Sequence, residues 1–207
     1  MTYKLIKAGL ITCLAATSAL TAPAAFAQDS VVTLNDALKA SKVLANIRLR
    51  AEGASFDNGT EDAEALTYRA RVGFETGAFA DTKFLIEFDH VEDLAGDFND
   101  TLNGATDRAV IADPNVTELN RLQLTNTSLP DTKITAGRQR IILDDSRFVG
   151  NVGWRQNEQT FDAIRVTNKS IKNLTVDVSY VDQVNRIFGD EAASGRFDSD
   201  SLSLIHI

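Results

Sequence analysis

The stretch Leu66–Glu75, LTYRARVGFE, alternates strictly between apolar and polar side chains. The apolar set consists of Leu66, Tyr68, Ala70, Val72 and Phe74, and the set between them of Thr67, Arg69, Arg71, Gly73 and Glu75. Because successive side chains of a β-strand point to opposite faces of its sheet, this spacing predicts a strand with one apolar and one highly polar face. Such a strand suits a sheet that meets lipid on one side only.

The same alternation recurs along most of the chain. It covers Ile47–Glu52, Phe84–Asp89, Arg121–Thr125, Lys133–Ala136 and Leu174–Tyr180. In Thr160–Asn168 the apolar residues do not share one parity, so we expect a β-bulge there. A last strand is expected from about Asp200 to Ile207. The pattern predicts an all-β fold with seven to eight strands present.

The connections between these strands alternate in length. The short ones are Gly77–Asp81, Ser128–Asp131 and Lys169–Lys172; the long polar ones are Asp57–Ala65, Asp93–Thr117, Asp144–Glu158 and Val184–Ser199. Short periplasmic turns opposite long extracellular loops are typical of a transmembrane antiparallel β-barrel of the outer-membrane type. A soluble β-sandwich has no reason to keep its long loops at one end, and no helical pattern separates the strands as in an α/β fold.

The N-terminus has the layout of a secretory signal peptide. Lys4 and Lys7 precede an apolar run from Ala8 to Leu20, and Ala25–Ala27 supplies a small-residue cleavage site. The apolar run is too short for a transmembrane anchor, which needs about 20 residues. We therefore predict a signal peptide over residues 1–27 and a bacterial outer-membrane location.

The rest of the chain divides into two predicted parts. Residues 28–45 form a periplasmic segment with a short helix over about Leu34–Ser41, capped by Thr33 or Asn35. Residues 46–207 form the barrel domain. We expect this domain to be truncated at its C-terminus, because its last strand runs out at Ile207 without a terminal aromatic residue.

Charge and cysteine content narrow the possible partners. The net charge is −8, and removal of the signal peptide would leave −10. An acidic chain of this kind argues against nucleic acid as a partner and leaves outer-membrane lipid and a small or polyanionic solute. The only cysteine, Cys13, lies in the predicted signal peptide, so no disulfide is expected. The oligomeric state is left open.

Basic residues concentrate on the polar strand faces, whereas acidic residues concentrate in the loops. The proposed pore-lining residues are Arg48, Arg50, Arg69, Arg71, Glu87, Arg121, Lys133, Arg138 and Arg140. Rings of arginine and lysine attract anions in pores, so these residues predict an anion-favouring lumen. The alternative is that the arginines pair with Glu52, Glu75, Glu87 and Asp89 as structural counter-ions. Both readings stay open.

The loop Asp144–Glu158 is a candidate constriction. Gly150 and Gly153 permit tight turns, and several neighbours offer dense hydrogen-bonding capacity. The proposed constriction residues are Arg147, Trp154, Arg155, Gln156 and Asn157. Trp154 either stacks on a sugar ring or anchors the loop to the wall.

Two motifs in this region carry a resemblance to a known family. They are GRQRI at Gly137–Ile141 and RFVGNVGWRQNEQTFD at Arg147–Asp162, and two shorter stretches accompany them, NRIFG at Asn185–Gly189 and ADP at Ala112–Pro114. Together these stretches resemble the alginate-export-like outer-membrane porins. The resemblance implies a larger barrel and passive passage of small or anionic solutes, a class that includes polysaccharides. The alternatives are a structural or adhesive barrel with a plugged lumen and, third, an outer-membrane hydrolase.

Enzymatic and metal chemistry have little support in the sequence. The two histidines, His90 and His206, have no convincing partners, and Ser146 with Asp145 has no histidine nearby in sequence. Asp93, Asp97 and Asp100 lack the spacing of a known calcium site. We therefore expect no catalytic residue, no metal and no cofactor.

Overall fold

The computed structural model describes residues 33–57 and 59–206, with the side chains of residues 205 and 206 left out. The predicted signal peptide, residues 1–27, and Ile207 lie outside the described residues. One helix, α1 (Leu34–Lys39), precedes eight strands. The strands are β1 (Lys42–Ala54), β2 (Ala63–Glu75), β3 (Thr82–Asp97), β4 (Val116–Asn126), β5 (Thr132–Gln139), β6 (Thr160–Asn168), β7 (Val176–Asn185) and β8 (Arg196–His206).

The strands form one antiparallel sheet in which each strand pairs with its neighbour in sequence. Within the described residues β1 and β8 are not paired with each other, so this sheet is not closed. The all-β antiparallel fold and the number of strands are confirmed. β6 has the predicted bounds, and the expected irregularity lies between Asp162 and Ala163 in its pairing with β7.

Several strands extend beyond their predicted ends. β1 begins at Lys42, β3 continues to Asp97, and β8 begins at Arg196. The corresponding loops are therefore shorter than predicted. In these additional residues apolar and polar side chains do not alternate strictly, so the sequence gives no clear period of two although their backbone joins the ladder.

Burial in the sheet is the reverse of that in a soluble protein. In β2 the side chains of Arg69 and Arg71 are buried, whereas Val72 on the opposite face is 55% exposed. In β1 Ile47 is 76% exposed. We call the face with the buried charges the inner face and the apolar face the outer face. The outer face includes Val43, Ile47, Leu49, Val72, Phe88, Leu122, Leu124, Ile164, Tyr180, Leu202 and Leu204, all of them exposed. This is the pattern expected of a lipid-facing barrel wall.

The long loops fold back onto the inner face. Phe98, Ala109 and Ile111 of the β3–β4 loop pack on Ala63 and Ala65 of β2. Ile141 of the β5–β6 loop packs similarly on β6. The loops therefore cover one end of the inner face and bring distant parts of the chain together there.

Helix α1 is held by the turn between β2 and β3. Thr33 is its N-cap and accepts a hydrogen bond from the amide of Asp36, as predicted. The amide of Gly77 donates to the carbonyl of Ala37 at 3.0 Å, and a Cβ at Gly77 would lie only 2.8 Å from that of Ala40. In the described part of the chain no helix is long and apolar enough to cross a membrane.

Candidate functional site

The inner segment, residues 150–159 of the β5–β6 loop, lies on the inner face of β1 and β2. Arg48 donates to the Oε1 of Gln156 at 2.8 Å, to the carbonyl of Gly153 at 3.0 Å and to that of Arg155. Arg50 and Arg69 donate to further carbonyls of the same segment, at 2.8 and 3.1 Å. Backbone carbonyls in an irregular loop need such donors when they are buried. These arginines therefore clamp the segment to the wall.

Gln156 lies at the centre of this clamp. It is fully buried, and its side-chain amide donates to the hydroxyl and the carbonyl of Thr67 at 2.9 and 3.1 Å. Its backbone amide donates to Asp113 at 2.8 Å. Asp113 also lies 3.2 Å from a guanidinium nitrogen of Arg50. One glutamine thus joins the inner segment to β2 and to the β3–β4 loop.

Asn157 connects the segment to the remaining long loop. Its buried side-chain amide donates to Glu118 of β4 at 2.8 Å and to the carbonyl of Ile187 at 3.2 Å. Three long loops therefore meet at two adjacent amide residues.

A network of ion pairs lies beside the clamp and is centred on Glu87 and Glu158. Arg121 donates twice to Glu87, at 2.8 and 2.7 Å, and Arg140 donates to Glu158 at 2.6 Å. Arg71 lies 3.0 Å from Glu158 and pairs also with Asp89. These charges are desolvated, and Glu87 and Glu158 each have more than one cationic neighbour.

The pKa of Glu158, which lies outside the strands, reflects this environment. Burial by itself raises the pKa of the carboxyl. The hydrogen bond from Arg140, the charges of Arg71 and Arg140 and a hydrogen bond from Asn120 outweigh burial and lower the pKa to about 2. Glu158 is therefore ionised throughout the neutral and mildly acidic range.

The clamp and the network together carry more positive than negative side chains. The cations are Arg48, Arg50, Arg69, Arg71, Arg121, Arg140 and Arg155; the anions are Glu52, Glu87, Asp89, Asp113 and Glu158. Seven arginines face five carboxylates, an excess of two positive charges. Arg48 and Arg69 account for the excess, because among the described residues they bind oxygens of amides and carbonyls and no carboxylate.

Trp154 packs against two arginines, and its stacking on a sugar ring stays a prediction. The guanidinium carbons of Arg50 and Arg155 lie 4.5 and 4.0 Å from the ring centroid, within the range of a cation–π contact. The residue is nevertheless 59% exposed. The ring anchors two clamp arginines and presents its remaining surface to the space beside the loop.

The other predicted site residues lie apart from this cluster. Arg138 pairs with Asp162 at 2.8 and 2.9 Å. Lys133 is exposed and makes no hydrogen bond or ion pair within the described residues. Arg147 is exposed and contacts only Asp145, at 3.6 Å, among the charged groups described.

Sequence reasoning did not assign several residues of the cluster. The sequence marks Asp113 and Glu158 only as members of family-like motifs, and Asp89 only as a possible counter-ion. Asn120, which donates to both Glu87 and Glu158, had no signal because a bulge between Glu87 and Phe88 shifts the register and brings it inward. The alternation of β4 alone could not reveal this shift.

The hydrolase alternative gains no support from the positions of its candidate groups. His90 has the parity of the outer face, where it contacts Thr117 at 2.7 Å and Glu92 at 3.6 Å, whereas Ser146 lies in the β5–β6 loop. The side chain of His206 lies outside the described residues. In the described ranges no group of three or more His, Cys, Asp or Glu residues is arranged to hold a metal ion.

Comparison with solved structures relates this arrangement to known barrels. The chain is similar to Acinetobacter baumannii OccAB1, with a TM-score of 0.57 and 17% identity over 86% of this chain and 42% of that one. Pseudomonas aeruginosa OccD3 (OpdP) and OccK9 (OpdG) give TM-scores of 0.48 and 0.49, at 13% and 14% identity, over 78% and 81% of this chain and 32% and 41% of theirs.

The similarity to OccAB1 confirms the predicted outer-membrane porin type of fold. The chain spans less than half the length of each of the three structures. No protein-family model matches the chain, and no curated protein matches it. The resemblance to the alginate-export-like porins stays a prediction.

Proposed function

We propose that this chain forms part of the wall of an outer-membrane channel through which small solutes diffuse, and that residues 150–159 are its constriction. The observation that supports this proposal is the arginine clamp: Arg48, Arg50 and Arg69 hold a loop that is distant in sequence against the inner face. A loop fixed inside a barrel narrows the lumen and sets the size and chemistry of what passes.

The proposed solutes are small anions. The excess of two arginine charges in the clamp and network creates a positive field where the lumen is narrowest, and a positive field lowers the entry barrier for anions. Arginine is also suited to carboxylates because its paired donors match their two oxygens. A more specific proposal is that the solute is a polyanionic polysaccharide, and only the sequence resemblance supports it.

The test is single-channel recording of the full-length protein in planar bilayers. We expect discrete conductance steps and, in a salt gradient, a reversal potential that shows anion preference. Arg48→Gln combined with Arg69→Gln removes the two uncompensated charges, so we expect lower anion preference and higher conductance because the clamp is weakened. Lys39→Gln with Lys42→Gln removes two exposed charges outside the site and should leave both values unchanged.

Two outcomes would contradict the proposal. If the protein inserts without conductance, the lumen is plugged, and the structural or adhesive barrel becomes the better reading. If the parent channel prefers cations, or if the double arginine variant keeps the parent reversal potential, the arginines are structural counter-ions and the solute is not selected by its negative charge.

A further inference from the structure

The three short turns of the sheet share one backbone design. Each has a residue of positive φ at the equivalent place: Asp81 at 54°, Asp131 at 51° and Asn173 at 61°. In each turn the residue after the one with positive φ donates its amide to the carbonyl of the tip residue, three positions earlier, at 3.0–3.2 Å. The tip residues are Phe79, Leu129 and Ile171. The second and third turns also share the pattern Asn-x-Ser directly before the apolar tip residue, in NTSL and NKSI.

Neighbouring turns are linked to each other. The side-chain amide of Asn126 donates to the hydroxyl of Thr82 at 2.9 Å, and that of Asn168 donates to the hydroxyl of Thr132 at 2.8 Å. A backbone hydrogen bond accompanies each of these contacts. The amide of Thr127 donates to the carbonyl of Asp81 at 2.9 Å, and the amide of Lys169 donates to the carbonyl of Asp131 at 2.8 Å. We call residues 76–82, 126–132 and 168–174 the interlocked rim, because these bonds hold the three tips in a fixed relation.

The tips of the rim are apolar and exposed. Phe79 is 44%, Leu129 54% and Ile171 56% exposed, although turns usually carry polar residues at such places. Each of these side chains costs free energy in water, because exposure of apolar surface to water is unfavourable. The same kind of residue at the same place in three turns indicates a shared apolar environment.

The rim continues the apolar outer face of the sheet. Each tip lies five residues from an apolar residue on both flanking strands: Phe74 and Phe84, Leu124 and Ile134, Val166 and Val176. At about 3.3 Å per residue and a strand tilt of about 45°, the tips lie at most roughly 12 Å beyond these residues along the membrane normal. The layer of headgroups extends about 5–8 Å beyond the hydrocarbon on each side, so the tips lie within it when these flanking residues lie about 4–7 Å inside the hydrocarbon.

We propose that the interlocked rim binds phospholipid at the boundary between acyl chains and headgroups of the membrane leaflet on its own side, the periplasmic leaflet in the predicted topology. Phe79, Leu129 and Ile171 enter the boundary, and Lys169 and Lys172 in the third turn lie beside them where lipid phosphates are found. Because the rim is rigid, this binding sets the depth at which the sheet sits in the membrane.

The test is nitroxide labelling of the full-length protein in phospholipid vesicles. Single cysteines replace Phe79, Leu129 or Ile171 in a Cys13→Ser background, which removes the chain's own cysteine. The matched control is Ala193→Cys, an exposed site in the β7–β8 loop at the other end of the sheet. Electron paramagnetic resonance then compares collisions of each label with oxygen, which partitions into lipid, and with a water-soluble nickel chelate.

We expect a ratio of oxygen to nickel collisions that is several-fold higher at the three tips than at residue 193. Equal ratios at the tips and the control would overturn the proposal, because the tips would then lie in water. Low collision rates with both reagents at the tips would overturn it as well, because they would show contact with protein, such as a second copy of the chain. These readings are independent of conductance, so they stand apart from the channel proposal.

Discussion

Both halves of the β5–β6 loop are rich in polar residues, but their environments differ. In residues 144–149, Phe148 is 93% exposed and Arg147 has 72% of its side chain exposed. In residues 150–158, Gln156 and Asn157 are fully buried. The difference lies in what faces each half, because only the second half meets the arginines of β1 and β2. A polar loop is held against the wall where the wall supplies donors for its carbonyls.

The largest effect is expected from the network beneath the second half. Glu158→Gln removes the charge shared by Arg71 and Arg140, and loss of one partner from a buried ion pair costs about 3–5 kcal/mol. Because both arginines keep other carboxylates, we expect the free energy of unfolding to fall by about 3 kcal/mol, near the lower end of this range. Urea unfolding of the protein in vesicles measures this change. Glu191→Gln, at an exposed loop position, is the control. A loss no greater than that of the control would show that Glu158 does not support the loop.

The pH dependence of the channel should report the same carboxyl. The pKa of Glu158 is lowered in the folded protein to about 2, below its ordinary value of 4.5. Its contribution is therefore complete above pH 4.5 and is lost as the pH falls towards 2. We expect the wild-type conductance to be constant from pH 7 to 5 and to rise at lower pH as the loop loosens. In Glu158→Gln this rise should be much smaller; an identical rise would assign it to other groups.

A smaller effect is expected from Gln156→Leu, which keeps the volume and removes the amide. Thr67 and Arg48 then lose hydrogen-bond partners, and each buried polar group left without a partner costs about 1–3 kcal/mol. We expect a lower free energy of unfolding together with a higher conductance. Gln159→Leu removes a single bond to the carbonyl of Gly150 and serves as the control. A conductance equal to the parent's would mean that Gln156 does not fix the constriction.

The smallest effect is expected in the first half of the loop. Arg147→Gln breaks an exposed contact with Asp145, and exposed ion pairs contribute about 0–1 kcal/mol. Conductance and the free energy of unfolding should therefore remain within error of the parent. A change as large as that of Gln156→Leu would erase the distinction between the two halves.

The fold was largely predictable because it depends on a period of two that many residues repeat. Thr160–Asn168 was predicted with its bounds, and the polar faces of β1 and β2 were placed correctly from alternation. The ends of β3 and β8 were not predicted, since apolar and polar residues do not alternate strictly there and the sequence does not reveal whether the backbone is paired.

The site was predictable only in part. Alternation could direct Arg48 and Arg69 inward, yet it could not show that their donors are taken up by the carbonyls of a loop about 100 residues away. It also could not separate Arg147 from Arg155, because the two share a motif and differ only in what they contact. Contacts between distant segments depend on how the long loops fold, and a single sequence contains no periodic signal for that.

Hydrogen exchange measured by mass spectrometry on the full-length protein in vesicles tests the central claim most directly. Peptides covering residues 150–159 and 144–149 would be compared in one experiment, since exchange reports how often each backbone amide opens. We predict slow exchange in the first peptide, whose amides include that of Gln156 bound to Asp113, and fast exchange in the second. Equally fast exchange in both would show that the inner segment is not clamped to the wall.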